Sequence, residues 1–137
     1  MANILLAVTG SISAYKAADI TSQLTKLGHQ VKVLMTPAAT AFITPLTLQV
    51  LSKNPVGLDV VIEEDPQRIE HIDIGKETDL FLVAPASANT IAKLAMGLAD
   101  NMVTSTALAL PQGTKKLLAP AMNTKMLEHP ATQRNLK

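Results

Sequence analysis

The chain has 137 residues, a formal net charge of +1, 47% hydrophobic and 17% charged residues, which excludes a disordered chain and fits one globular domain spanning 1–137. No run approaches the roughly 20 apolar residues of a membrane span, and the near-neutral balance, without a basic stripe, gives no argument for nucleic acid. Cysteine is absent, which excludes disulfide and thiolate chemistry within these residues, and three scattered histidines show no metal-ligand spacing.

Ile4 to Val8 reads as a first buried strand ending at Thr9-Gly10. Its flank lacks the basic start of a secretory signal, so a cytoplasmic protein is expected. Ser11 to Leu27 carries apolar residues at helical spacing (Ile12, Tyr15, Ala18, Leu24, Leu27) and stops at Gly28. Val31 to Met35 is a second strand. Ala38 to Leu51 is helical in pattern, but Pro45 must break or restart it, with Thr44 as N-cap. Leu58 to Ile62 reads as a third strand, followed by the solvated loop Glu63-Glu64-Asp65-Pro66. Leu80 to Ala84, bounded by Asp79 and Pro85, is the short apolar run of a strand buried on both faces. Ile91 to Met96 and Asn101 to Leu110 are helical, and Lys116 to Ala119 is a last strand before Pro120. Alternation of this kind predicts a three-layer α/β sandwich, Rossmann-like or flavodoxin-like, with a parallel sheet covered by helices on both faces.

In such a sheet, ligands bind outside the carboxyl ends of the strands, and three loops fall there. Thr9-Gly10-Ser11-Ile12-Ser13 places a glycine and hydroxyls at a helix start, where free N–H groups and the helix dipole favour a phosphate. The three-glycine dinucleotide fingerprint is absent, which disfavours NAD. Met35-Thr36-Pro37-Ala38 is the second loop, and could be only a turn and cap. The third, Pro85-Ala86-Ser87-Ala88-Asn89-Thr90, has small side chains that let a ligand approach the backbone. Ser87, Asn89 and Thr90 could cap the helix or bind the ligand. Three such loops on one edge favour a phosphorylated cofactor. Aromatic content of only 2% means that a flat ligand must be held by aliphatic groups, methionine and backbone, or between subunits. His71 suits a general base near neutral pH but is more often an ordinary surface or core residue. Asn123, in Pro120-Ala121-Met122-Asn123, could cap the next segment or bind a carboxylate without adding charge. Lys16 and Lys76 are most simply solvated, or they could reach a second phosphate or carboxylate.

Read together, Gly10-Ser11-Ile12-Ser13-Ala14-Tyr15-Lys16, His71-Ile72, Pro85 to Thr90, and Pro120-Ala121-Met122-Asn123-Thr124-Lys125-Met126 resemble the flavin-dependent cysteine decarboxylases, in order and over essentially the whole chain. The resemblance implies a flavodoxin-like sandwich that binds FMN, in homotrimers or assemblies of trimers with flavin at a subunit interface. It would place FMN near Gly10, Ser11, Ile12, Ser13, Thr36, Phe42, Ser87, Ala88, Asn89, Thr90 and Met122. It implies His71 as the active-site histidine and Asn123 as the holder of the substrate carboxylate. Lys16, Lys76 and Met126 would be further substrate contacts. The segment from Gly10 to Lys16 points to the branch acting on 4'-phosphopantothenoylcysteine in coenzyme A biosynthesis. There the flavin serves as hydride acceptor, and the substrate passes through thioaldehyde and ene-thiolate stages to 4'-phosphopantetheine.

Family members that complete the reductive half carry a cysteine on a mobile C-terminal clamp, and this chain has none. The expectation is therefore either a longer chain bearing that clamp, or an oxidative peptidyl-cysteine decarboxylase of the lantibiotic type, with the former preferred. A flavin prenyltransferase and a flavin-bearing phosphatase-inhibitory subunit are the remaining alternatives. The latter would carry an acidic C-terminal tail that is absent from these residues.

Overall fold

The structure, a computed structural model, describes residues 2–58 and 77–136. Among these residues five parallel strands form one sheet: β1 (Asn3–Val8), β2 (Gln30–Met35), β3 (Val56–Gly57), β4 (Leu80–Ala86) and β5 (Lys115–Pro120). They lie in the order β3-β2-β1-β4-β5. The helices are α1 (Lys16–Lys26), α2 (Pro45–Ser52), α3 (Ala88–Met96), α4 (Met102–Ala109), α5 (Thr124–Glu128) and α6 (Pro130–Leu136), with 3-10 turns at Ile12–Tyr15 and Pro37–Ala41. The α/β sandwich is as expected. Its strand order reverses between β1 and β4, which makes the gap beyond their carboxyl ends the topological switch point where such sheets bind ligands.

Alternation of side chains along the central strands feeds two apolar layers. On one face, Leu5, Ala7, Leu34, Phe81, Val83 and Ala86 pack with Ile91 of α3 and Met102 and Val103 of α4. On the other, Leu6, Val8, Val31, Val33 and Met35 pack with Ala14, Ala17 and Leu48. Phe81, 1% exposed, is among the largest buried side chains. Burial of that kind stabilises by about 1.5–3 kcal/mol per side chain.

Most element bounds differ from the sequence reading by a residue or two, the helix read from Ile91 starts at Ala88, and other departures have local reasons. The helix predicted from Ser11 begins as a 3-10 turn because Ser11 is extended and its Oγ accepts from the Ser13 N–H, so α1 proper starts at Lys16. As expected, the Ala38–Leu51 pattern is broken and restarts at Pro45, giving a 3-10 turn and then α2 with Thr44 the N-cap. The third strand is at Val56–Gly57 rather than Leu58–Ile62, of which 59–62 lie outside the described residues. Pro85 does not end β4. The strand continues to Ala86, and the ladder to β5 slips between Val83 and Ala86. Proline has no N–H for the ladder and is tolerated at such a bulge. The helices α5 and α6 have no counterpart in the sequence reading beyond Asn123 as a cap.

Candidate active site

The three strand-end loops are knitted together by contacts between residues far apart in sequence. Thr9, fully buried after β1, donates its hydroxyl to the Pro85 carbonyl at 2.6 Å and accepts from the Ser87 N–H at 2.8 Å. One hydroxyl thus fixes both the end of β4 and the entry to α3. On the other side, a Cβ on Gly10 would lie 2.7 Å from Ala38 Cβ and 3.3 Å from Ala38 carbonyl carbon. Only glycine lets the first loop seat this closely against the second. The Thr36 N–H bonds the Val8 carbonyl at 3.0 Å and closes the same edge.

Each loop then opens a helical turn with a hydroxyl cap. Ser11 Oγ accepts from the Ser13 N–H at 3.2 Å, and Thr36 Oγ1 from the Ala39 N–H at 3.2 Å. Ser87 Oγ accepts from the Thr90 N–H at 3.2 Å and donates to Thr90 Oγ1 at 3.1 Å. Capping satisfies only part of the free N–H set at a helix start. Ser87 therefore caps α3, and Thr90, buried, braces the cap through its hydroxyl, while Asn89 is exposed. Apolar side chains stand open beside these polar caps: Ile12 is 80% exposed and Phe42 47%. Lys16 is exposed at the first position of α1.

A second wall comes from the segment after β5. The Ala121 N–H bonds the Ala86 carbonyl at 3.0 Å, tying this segment to the loop that begins α3. Met122 packs against the core beneath it. Asn123 Oδ1 accepts from the Met126 N–H at 3.0 Å and so caps α5. Its carbonyl oxygen is thereby used, leaving two amide N–H donors for a ligand. Ala88, Asn123, Lys125, Met126, His129 and Thr132 line a cavity of about 350 Å³. His71 and Lys76 lie outside the described residues. Among the described residues no group of three or more His, Cys, Asp or Glu side chains could hold a metal.

The structure thus brings Gly10 to Ser13, Thr36 and Ser87 to Thr90 to one sheet edge, and hangs Asn123 and Met126 from an element bonded to that edge. Sequence reasoning placed Thr9 and Ala38 in the first two strand-end loops and Lys125 in the last motif without giving any of them a contact, and it gave His129 no role. A hydroxyl immediately before the loop glycine was the one available hint of Thr9. The arrangement offers free N–H groups and hydroxyls for a phosphate, small backbone-lined turns and apolar side chains for a flat ring, and neutral donors for a carboxylate.

A probable phosphopantothenoylcysteine decarboxylase of Streptococcus mutans is 68% identical over 133 residues, 97% of this chain and 74% of that protein. The coenzyme A biosynthesis bifunctional protein CoaBC of Bacillus subtilis is 48% identical over 134 residues, 98% of this chain, which spans 32% of that protein. The crystal structure of the FMN-dependent cysteine decarboxylase SpaF superposes with a TM-score of 0.90 at 30% identity, covering 99% of this chain and 77% of that one. The flavoprotein family model matches residues 1–137, so by sequence and by fold the chain belongs to the Flavoprotein family.

Proposed function

We propose that the chain is an FMN-dependent decarboxylase that converts 4'-phosphopantothenoylcysteine to 4'-phosphopantetheine in coenzyme A biosynthesis. The observation that carries this reading is the join at the switch point. Thr9 and Gly10 lock three capped loops into one edge, and the Ala121–Ala86 hydrogen bond brings the amide of Asn123 to it. The likeness to the named decarboxylases supports the substrate and the cofactor.

The residues present fit FMN on a structural test. The close seat of Gly10 on Ala38 draws the first two loops together, and the Ser11 and Ile12 N–H groups lie at the start of the turn, where an anion is favoured, while the Ser13 N–H is taken by Ser11 Oγ. Ile12 and Phe42 offer exposed apolar surface for a ring where aromatics are scarce. Gly10 to Ser13 and Thr36 would hold the phosphate end, and Ile12, Phe42, Met122 and Ser87 to Thr90 the rest. Bound FMN supplies a reversible hydride acceptor, the electron sink that loss of CO2 from a cysteinyl carboxyl otherwise lacks. Asn123 fixes that carboxylate with neutral donors, and Met126 packs beside it. His71 moves the proton during oxidation of the cysteinyl side chain, and Lys16 and Lys76 contact the substrate's anionic groups. The enzyme works in the cytoplasm as a homotrimer or an assembly of trimers.

The purified protein is expected to be yellow and to release CO2 from 4'-phosphopantothenoylcysteine. Replacing His71 with Asn is expected to lower turnover by about 10²–10⁴-fold with flavin absorbance retained. Full activity in that variant would remove His71 from the chemistry, and a colourless, inactive wild type would defeat the whole reading.

A further inference from the structure

The cavity beside α3 holds more than the asparagine that motivates it. His129 ends α5, and its Nδ1 accepts from the Ala131 N–H at 3.0 Å at the start of α6. A ring nitrogen that accepts carries no proton, so in the neutral ring the proton is on Nε2. Asn123 is arranged in the same way: its acceptor is consumed by the Met126 N–H, and only its N–H groups remain. Two side chains six positions apart thus each use their acceptor on the backbone and keep a donor for one cavity. Lys125 adds an ammonium, Thr132 is buried at the same wall, and among the described residues no carboxylate is in the lining. A cavity lined in this way suits an anion.

We propose that His129 is a substrate-positioning residue whose Nε2–H, together with the amide of Asn123, holds the cysteinyl carboxylate. The identity of the ligand rests on the proposed function. Decarboxylation removes charge from the carboxylate, so a full cation bonded to it would stabilise the ground state more than the transition state. The Asn123 amide and the imidazole Nε2–H orient the group, and Lys125 acts at longer range, attracting the anion into the cavity.

Serine at position 129 keeps a cap for the Ala131 N–H and removes the ring donor. Flavin-loaded His129→Ser protein is titrated with 4'-phosphopantothenoylcysteine and with 4'-phosphopantetheine, which differ only by the carboxylate. Substrate affinity is expected to fall by about 10-fold with product affinity unchanged. Equal weakening of both ligands, or no change in either, would overturn the proposal. His129→Asn, which retains both a cap and an N–H donor, is expected to recover part of the loss. In the wild type, the ring resonances of His129 are expected to shift with N-acetylcysteine and not with N-acetylcysteamine. Absence of that difference defeats the role of His129 even in an active enzyme. Its presence in a protein that releases no CO2 from 4'-phosphopantothenoylcysteine defeats the proposed substrate alone.

Discussion

Adding one methyl group at Gly10 would push Cβ to 2.7 Å from Ala38 Cβ, well inside ordinary contact, with the Ala38 carbonyl carbon at 3.3 Å behind it. Neither atom is the free end of a flexible side chain, so the relief must come from the loops moving apart. Gly10→Ala is expected to cost about 1–3 kcal/mol of stability, the usual penalty of overpacking, and to weaken flavin retention through displacement of the two loops. Ala38→Gly in the same chain removes the colliding methyl and is expected to restore most of the flavin absorbance after gel filtration. If the double variant is as colourless as the single one, Gly10 matters for its backbone and not for the seat. The glycine itself was legible in the sequence as the opening of a phosphate-type loop, but its partner was not. Contacts such as Gly10–Ala38 and Thr9–Pro85, 28 and 76 positions apart, leave no periodic trace for local patterning to follow.

At the scale of elements, the local signal was read well at Thr44, the N-cap of α2, whereas for α3 the start was read at Ile91, three residues late, with the cap left open among Ser87, Asn89 and Thr90. Such signals failed for α5 and α6, which are short and capped by the side chains of Asn123 and His129; α5 is exposed throughout, and α6 turns only Thr132 and Leu136 inward, too few for a stripe. The α3–α4 connection shows what such caps add. Asn101 Oδ1 accepts from the Thr104 N–H at 2.9 Å while Thr104 Oγ1 accepts from the Asn101 N–H at 3.2 Å, a reciprocal box at the start of α4. Just before it, Asp100 pairs with Lys93 of α3 at 2.7 Å, and the hydrogen bond from that ammonium holds the Asp100 carboxyl below its ordinary range. A folded-state value below the unfolded one contributes stability above the unfolded value, and that contribution is lost as pH falls through the folded one. Asp100→Asn is therefore expected to lower the melting temperature at pH 7 by about 1–2 °C, the small effect of an exposed pair. The gap from wild type should close as pH drops below about 4. A difference that persists undiminished at pH 2.5, or that is insensitive to salt, would assign the effect to something other than the charge.

The whole molecule leaves one side of its sheet unlike the other. Strand β5 is exposed at every position, with Leu117 57% and Leu118 38% accessible. Leu117 is in register with Leu82 and Leu118 with Val83, so the two leucines continue the two apolar layers outward on opposite faces of the sheet. An edge strand with apolar side chains on both faces is a surface that proteins normally cover. The homotrimer of the proposed function would supply that cover with second and third copies, and it would also set neighbouring side chains against Ile12 and Phe42, where this chain alone offers little aromatic surface. Sedimentation of the flavin-loaded protein is accordingly expected to give a species of three chains or a multiple of three. Leu117→Lys with Leu118→Lys is expected to yield monomers with circular dichroism unchanged, because neither leucine is part of the buried core. Flavin retention should fall by at least about 10-fold in those monomers if the neighbour completes the pocket. A wild type that sediments as a monomer while binding FMN fully would overturn the shared pocket, and an undisturbed trimer in the double variant would move the interface to another face.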